Sequence, residues 1–177
     1  MPLYGDGLIR DMSFEDIDQV VQLEKLIFSS PWNAELFRYE LRNPAGTIYL
    51  VLEQDRVLKG YMGAQVLDAE VHVTNMAVVP EARRSGIGSA LLIECIKRAL
   101  QRGCRWLTLE VRRGNDEALY FYKTFGFEEL GLRHGYYTDS GEDAIIMATG
   151  DIRSSDFGDQ LKEIERRLQA GPGGASC

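Results

Sequence analysis

Short apolar runs alternate with stretches in which apolar residues return every three or four positions, dividing the chain into strands and helices. Leu8 to Met12 reads as a first strand. Ser13 suits a helix N-cap ahead of Ile17, Val20, Val21, Leu23, Leu26 and Ile27, which fall at helical spacing. Ser30-Pro31-Trp32 breaks that helix, Asn33 caps a second through Leu36, Phe37 and Leu41, and Asn43-Pro44-Ala45-Gly46 makes a turn. Thr47 to Glu53 and Val57 to Val66 flank Gln54-Asp55-Arg56 as a hairpin, and Glu70 to Val79 is a third β segment ending at Pro80.

The pattern then changes. Gly86 to Arg102 carries Leu91, Leu92, Ile96 and Leu100 on one helical stripe, with Gly103 as its stop. Trp106 to Val111 is a strand, Asp116 to Phe125 a helix ended by Gly126, and Phe127 to Tyr137 and Asp143 to Thr149 are two last strands around Asp139-Ser140-Gly141. The order β-αα-βββ-α-β-α-ββ predicts an α/β fold (α+β by some schemes), a mixed and mostly antiparallel sheet with helices on both faces. In such a sheet a ligand sits at the carboxyl ends of strands.

Beyond Gly150, Phe157, Leu161, Ile164 and Leu168 form one apolar stripe on a charged segment, and Gly171-Pro172-Gly173-Gly174 reads as flexible tail. The expected organisation is a domain over 1–150 followed by an amphipathic helix and tail over 151–177. The helix packs on the domain or pairs with another copy, packing in cis being the plainer choice.

With 20 basic against 27 acidic residues the 177-residue chain carries a net charge of −7, which disfavours nonspecific nucleic-acid binding. Apolar runs such as Leu91-Leu92-Ile93 fall far below the roughly 20 residues that span a bilayer, and the first residues carry no signal-peptide pattern. Cytoplasmic residence without membrane attachment is the expectation. Cys95, Cys104 and Cys177 form no C-x-x-C pair and read as buried or tail thiols. His72 and His134, the only imidazoles, are too few for a zinc site or a Ser-His-Asp triad, so no metal is expected.

The most informative stretch runs from Val78 to Leu92, where a strand passes through Arg83-Arg84-Ser85-Gly86-Ile87-Gly88-Ser89 into a helix. Unpaired N–H groups at a helix start and the helix dipole favour an anion, glycine allows close approach, and the two arginines add charge. A P-loop would need Gly-Lys-Ser/Thr, and the dinucleotide fingerprint a glycine where Leu91 stands. An exposed glycine turn before a core helix remains the alternative for Gly-x-Gly alone.

Arg83-x-x-Gly86-x-Gly88 after an apolar strand resembles the acetyl-CoA motif of the GNAT N-acetyltransferases, and the element order matches that fold. Leu109-Glu110-Val111-Arg112, Asn115, Tyr122 with Gly126-Phe127, Tyr136-Tyr137 and Glu142 to Met147 together resemble the RimI family of ribosomal-protein alanine N-acetyltransferases, over roughly residues 7 to 149. The resemblance implies that backbone groups of Met76, Ala77 and Val78 face the acetyl-pantetheine arm. It further implies that Arg83 and the run Arg84, Ser85, Gly86, Ile87, Gly88 and Ser89 hold the pyrophosphate, with Asn115 also touching the cosubstrate. The tail after Gly150 has no counterpart in the family pattern, and Thr138 stands where a proline is common.

Acetyl transfer from a thioester needs a neutral amine, a polarised carbonyl and a protonated leaving thiolate. An α-amine has a pKa of about 8, so a carboxylate acting through water suffices as base. Strand alternation puts Thr108, Glu110 and Arg112 on one face. By spacing alone Glu110 is equally a strand carboxylate paired with an arginine such as Arg112; the resemblance makes it the base. Tyr122, by spacing a core aromatic, is by resemblance the acid. A thiol near 8.5 is more acidic than a phenol near 10, so that role needs a preorganised hydrogen bond. Trp32, Tyr136 and Tyr137 would by resemblance line the acceptor peptide's site, with packing as their other reading.

The resulting expectation is an acetyl-CoA-dependent N-acetyltransferase whose acceptor is the alanine N-terminus of a small-subunit ribosomal protein. The rivals are acetylation of a lysine or small amine, and a non-catalytic CoA-binding subunit that associates through its last helix. Oligomeric state is left open.

Overall fold

A computed structural model describes residues 3–4 and 7–170. Strand β1 (Leu3–Tyr4) and β2 (Gly7–Asp11) lead through a 3₁₀ turn at Phe14–Asp16 to α1 (Ile17–Ile27) and α2 (Ala34–Leu41). Then come β3 (Thr47–Gln54), β4 (Val57–Leu67), β5 (Glu70–Val78), α3 (Ile87–Gln101), β6 (Trp106–Arg112), α4 (Asp116–Thr124), β7 (Phe127–Tyr137), β8 (Glu142–Thr149) and α5 (Ser155–Ala170). The strands form one sheet in the order β1-β2-β3-β4-β5-β6-β8-β7, antiparallel except between β5 and β6.

Local chemistry sets the boundaries. Asn33 accepts from the Leu36 amide and Asn115 from the Ala118 amide, each capping its helix. Asp55 and Arg56 turn the β3–β4 hairpin at φ 51° and 62°. Gly103 and Gly126, both at φ 79°, stop α3 and α4. The two-residue β1 has too little pattern to be read from sequence.

Alternation along the strands feeds two cores. Ile48, Leu50 and Leu52 of β3 join Leu107 and Leu109 of β6 beneath α3, while Tyr49 and Val51 pack with Ile17, Val20, Leu23 and Phe37 of α1 and α2. The α1 stripe departs from expectation at two positions. Leu26 is 66% exposed and Glu24 is 1% exposed, because position 24, one turn after Val20, occupies the inward stripe.

Helix α5 buries Phe157 and Leu161 in the α3-side core, with Ile164 and Leu168 packed against it. Lys97 of α3 pairs with Glu165, and Gln160 Nε2 donates to the Thr124 carbonyl at 3.0 Å. Phe157→Ala is expected to cost about 3 kcal/mol of stability, read as a lower denaturation midpoint at unchanged m-value. The glycine-rich tail and Cys177 lie outside the described residues. Cys95 and Cys104 are free and buried. No described helix is long and apolar enough to cross a membrane.

Candidate active site

β5 and β6 pair in parallel only from Glu70–Trp106 to His72–Thr108. Beyond that register the strands part. On its other side β5 slips against β4 between Gly63–Asn75 and Ala64–Val73, leaving Thr74 as an extra residue that bends the strand. The gap becomes a cleft of about 670 Å³, walled by Val73 to Met76 of β5 and Leu109 to Arg112 of β6. The unpaired edge of β5 carries peptide groups whose partners are missing from the sheet, an arrangement suited to an extended amide-bearing ligand.

At one end of the cleft α3 begins. Gly86, its N-cap, stands at φ 92°, a left-handed conformation that glycine adopts without a Cβ penalty. Arg83 lines the cleft. Arg84, itself at φ 60°, has a side chain 85% exposed and within 3.4 Å of Glu117. Ser85 donates to the Ala82 carbonyl. Ile87 is buried and offers only its backbone outward, and Gly88 lies beside Met76 and Phe121. Ser89 is half-buried on the first turn. Ala77 is buried toward α1 and α2, and Val78 packs toward α3, so the side chains of both are taken up in packing. Asn115 lines the cleft while its side-chain oxygen caps α4.

Glu110 lines the cleft with its side chain only 8% exposed. His72 Nε2 is 3.1 Å from Oε2, and Arg133 of β7 is 3.0 Å from Oε1. The His72 hydrogen bond is the chief cause that holds this carboxyl below its ordinary range, overcoming the opposing effect of burial, with the Arg133 charge adding to it. The Arg112 pairing open at the level of sequence does not occur. Arg112 instead bonds Asp139 at 2.7 Å and Glu142 at 3.3 Å, and lies 3.8 Å over the Tyr137 ring.

Tyr122 faces the same cleft from α4, buried between Phe121 and Phe127. Burial is the main cause that raises its phenol well above the usual value, so it stays protonated. Trp32, Tyr136 and Tyr137 line the cleft opposite, Trp32 packed 5.6 Å from Phe37. Ser29 of the α1–α2 loop donates to Asp139 of the β7–β8 turn, clasping the two walls at the mouth.

Sequence reading missed three of these groups. Glu24 reaches the cleft from α1 and accepts from Tyr61 Oη and the Trp32 amide; burial raises its carboxyl above the ordinary range. Its signal was available, a charge on the apolar stripe. His72 and Arg133 carried no comparable signal, since their partner lies on a strand 38 and 23 residues away.

The model of the acetyltransferase (GNAT) family matches residues 17–127. An Escherichia coli protein named ribosomal protein bS18-alanine N-acetyltransferase is 35% identical over 144 residues, 79% of this chain and 95% of that protein. An N-alpha-acetyltransferase of Sulfurisphaera tokodaii is 31% identical over 153 residues, 79% of this chain and 90% of its own length. The crystal structure of the Escherichia coli ribosomal-protein-S18-alanine N-acetyltransferase superposes with a TM-score of 0.76 at 31% identity, covering 85% of this chain and 97% of that one.

Proposed function

This chain belongs to the acetyltransferase (GNAT) family and is an N-acetyltransferase, and from that premise we propose that it moves acetyl from acetyl-CoA to the α-amine of an N-terminal alanine on a small-subunit ribosomal protein. The observation that carries the reading is the parted β5–β6 cleft with Glu110 on one wall and Tyr122 on another. The similarity to enzymes named for bS18 alanine directs it to a protein N-terminus. That acceptor places it in the cytoplasm.

The cleft residues fit a CoA thioester. Outward amides at the start of α3 and the Arg83 guanidinium suit a pyrophosphate, and the free edge of β5 at Met76, Ala77 and Val78 suits the amides of a pantetheine arm. When bound, the thioester supplies the activated acetyl group. Glu110, held ionised, takes the proton of the acceptor ammonium through water. Tyr122, held protonated, donates to the departing sulfur. Trp32, Tyr136 and Tyr137 wall the acceptor side, and Asn115 bounds the cosubstrate's path. The reaction forms an N–C bond and breaks a C–S bond. Nitrogen loses two protons, one of which ends on sulfur.

Arg83 and Arg84 differ in expected weight because only Arg83 lines the cleft. Arg83→Ala is expected to weaken CoA binding about tenfold by calorimetry and Arg84→Ala less, the size of one lost charge-assisted contact.

The deciding experiment offers acetyl-CoA with peptides beginning in Ala, Ser, Met or Glu, beside peptides whose only free amine is lysine, and reads the product by mass spectrometry. Acetyl on the alanine α-amine supports the proposal. Acetyl confined to lysine overturns the acceptor, and CoA binding without transfer favours a regulatory subunit.

A further inference from the structure

One proton per turnover has to leave the site, since the nitrogen gives up two and the sulfur takes one. Glu110 is enclosed, with Arg133 on one oxygen and His72 on the other. Behind it the contacts continue. His72 Nδ1 lies 2.8 Å from Thr108 Oγ1, and Thr108 Oγ1 donates to Glu70 Oε1. His72 is not among the residues lining the cleft. Glu70, half-buried, opens β5 just after the exposed Leu67 and Asp68.

Hydrogen counting gives this chain a direction. Threonine has one proton, and it goes to Glu70. The His72–Thr108 bond therefore needs a proton on Nδ1. With Glu110 ionised, the bond at Nε2 needs a proton there as well, so all contacts are satisfied together when the imidazole is charged. When it is neutral with hydrogen on Nδ1, Nε2 has a lone pair aimed at Glu110, ready to accept what Glu110 has just taken.

Resting on Glu110 as the base, we propose that His72, Thr108 and Glu70 form a proton exit that clears Glu110 to solvent at the β4–β5 turn. The proton on Glu110 Oε2 passes to His72 Nε2. The Nδ1 proton passes to Thr108 Oγ1, whose own proton goes to the Glu70 carboxylate and from there to water. Imidazole tautomer exchange and rotation of the Thr108 hydroxyl reset the path. The charged groups bearing on His72 are Glu70 on its own strand, Glu110 on β6 and, through Glu110, Arg133 on β7; Gln65 stands opposite it on β4. The two carboxylates stand at the two ends of the path, and Arg133 favours return of Glu110 to its ionised form.

Two variants separate relay from scaffold. His72→Gln preserves a donor to Glu110 but carries no proton, and Thr108→Val keeps the His72–Glu110 pair while cutting the path. Each is expected to lower kcat about tenfold near pH 7 at unchanged KM for acetyl-CoA, the loss narrowing as pH rises. In each, kcat is expected to climb with imidazole buffer concentration at fixed pH and ionic strength, while the unmodified enzyme stays flat, because external buffer replaces the missing exit. Wild-type kcat in Thr108→Val, or a loss in both variants that buffer does not relieve, overturns the exit. Glu110→Gln run alongside distinguishes the two levels. If Glu110→Gln is inactive while His72→Gln and Thr108→Val are unimpaired, the exit alone fails. If Glu110→Gln turns over normally, the base assignment fails and the exit with it.

Discussion

Glu110→Gln is expected to lower kcat by roughly 10² to 10³ while acetyl-CoA binds with unchanged affinity. The amide keeps the shape and one acceptor for His72 Nε2, so the loss reports proton transfer rather than a collapsed cleft. Burial alone would push this carboxyl up and protonate it; the His72 and Arg133 contacts prevail and hold it down. Rate against pH should therefore show no limb from Glu110 in its ordinary range near 4.3. Stability gives a second check. A group whose pKa is depressed by folding contributes stability that is complete above its unfolded value and is lost as pH falls through its folded value. Acid unfolding followed by circular dichroism should show a shallower dependence in Glu110→Gln than in the parent, and identical acid profiles would remove the His72 contact as its cause. Turnover by Glu110→Gln within twofold of the parent would remove Glu110 from the chemistry.

Tyr122→Phe is the second large effect, expected at about 10 to 10² in kcat with KM for the acceptor peptide little changed. The phenol is buried and held protonated well above its ordinary value near 10, so it remains a donor throughout the working range. The loss should accordingly be the same from pH 7 to 9, measured as a ratio of kcat values. A loss that vanishes at alkaline pH would point to a titrating group elsewhere. Because Tyr122 also contacts Phe121 and Phe127, the ring is retained in this variant and the hydroxyl alone is tested.

What the sequence made legible was chemistry that acts over a few residues. Asn33 declares a helix start, Gly103 and Gly126 declare stops, and the apolar run Thr47 to Glu53 declares a strand, which the fold then packs onto two cores. The arginine and glycine spacing ahead of α3 leads, for the same reason, to the anion site proposed there. The surroundings of Glu110 were illegible because they depend on register. His72 meets Glu110 only because β5 and β6 run parallel with His72 opposite Thr108, and Arg133 arrives across β8 from the far edge of the sheet. Arg112, two residues from Glu110 on the same face, looked like the nearer partner, yet Asp139 on the β7–β8 turn and Glu142 at the start of β8 claim it. Glu24 lies between these cases, its burial written in helical period but its Tyr61 partner supplied by the fold.

The parting of β5 from β6 also has a signature in time. Past the Thr74 bulge every second amide of β5 turns toward a strand that is no longer there, whereas the intervening amides stay paired with β4. In the free protein those outward amides should exchange with deuterium far faster than their immediate neighbours, giving an alternating protection pattern along Asn75 to Val78. A ligand that lies along the edge as a surrogate strand would quench the alternation, so exchange at four consecutive residues becomes a residue-resolved gauge of occupancy that needs no turnover at all.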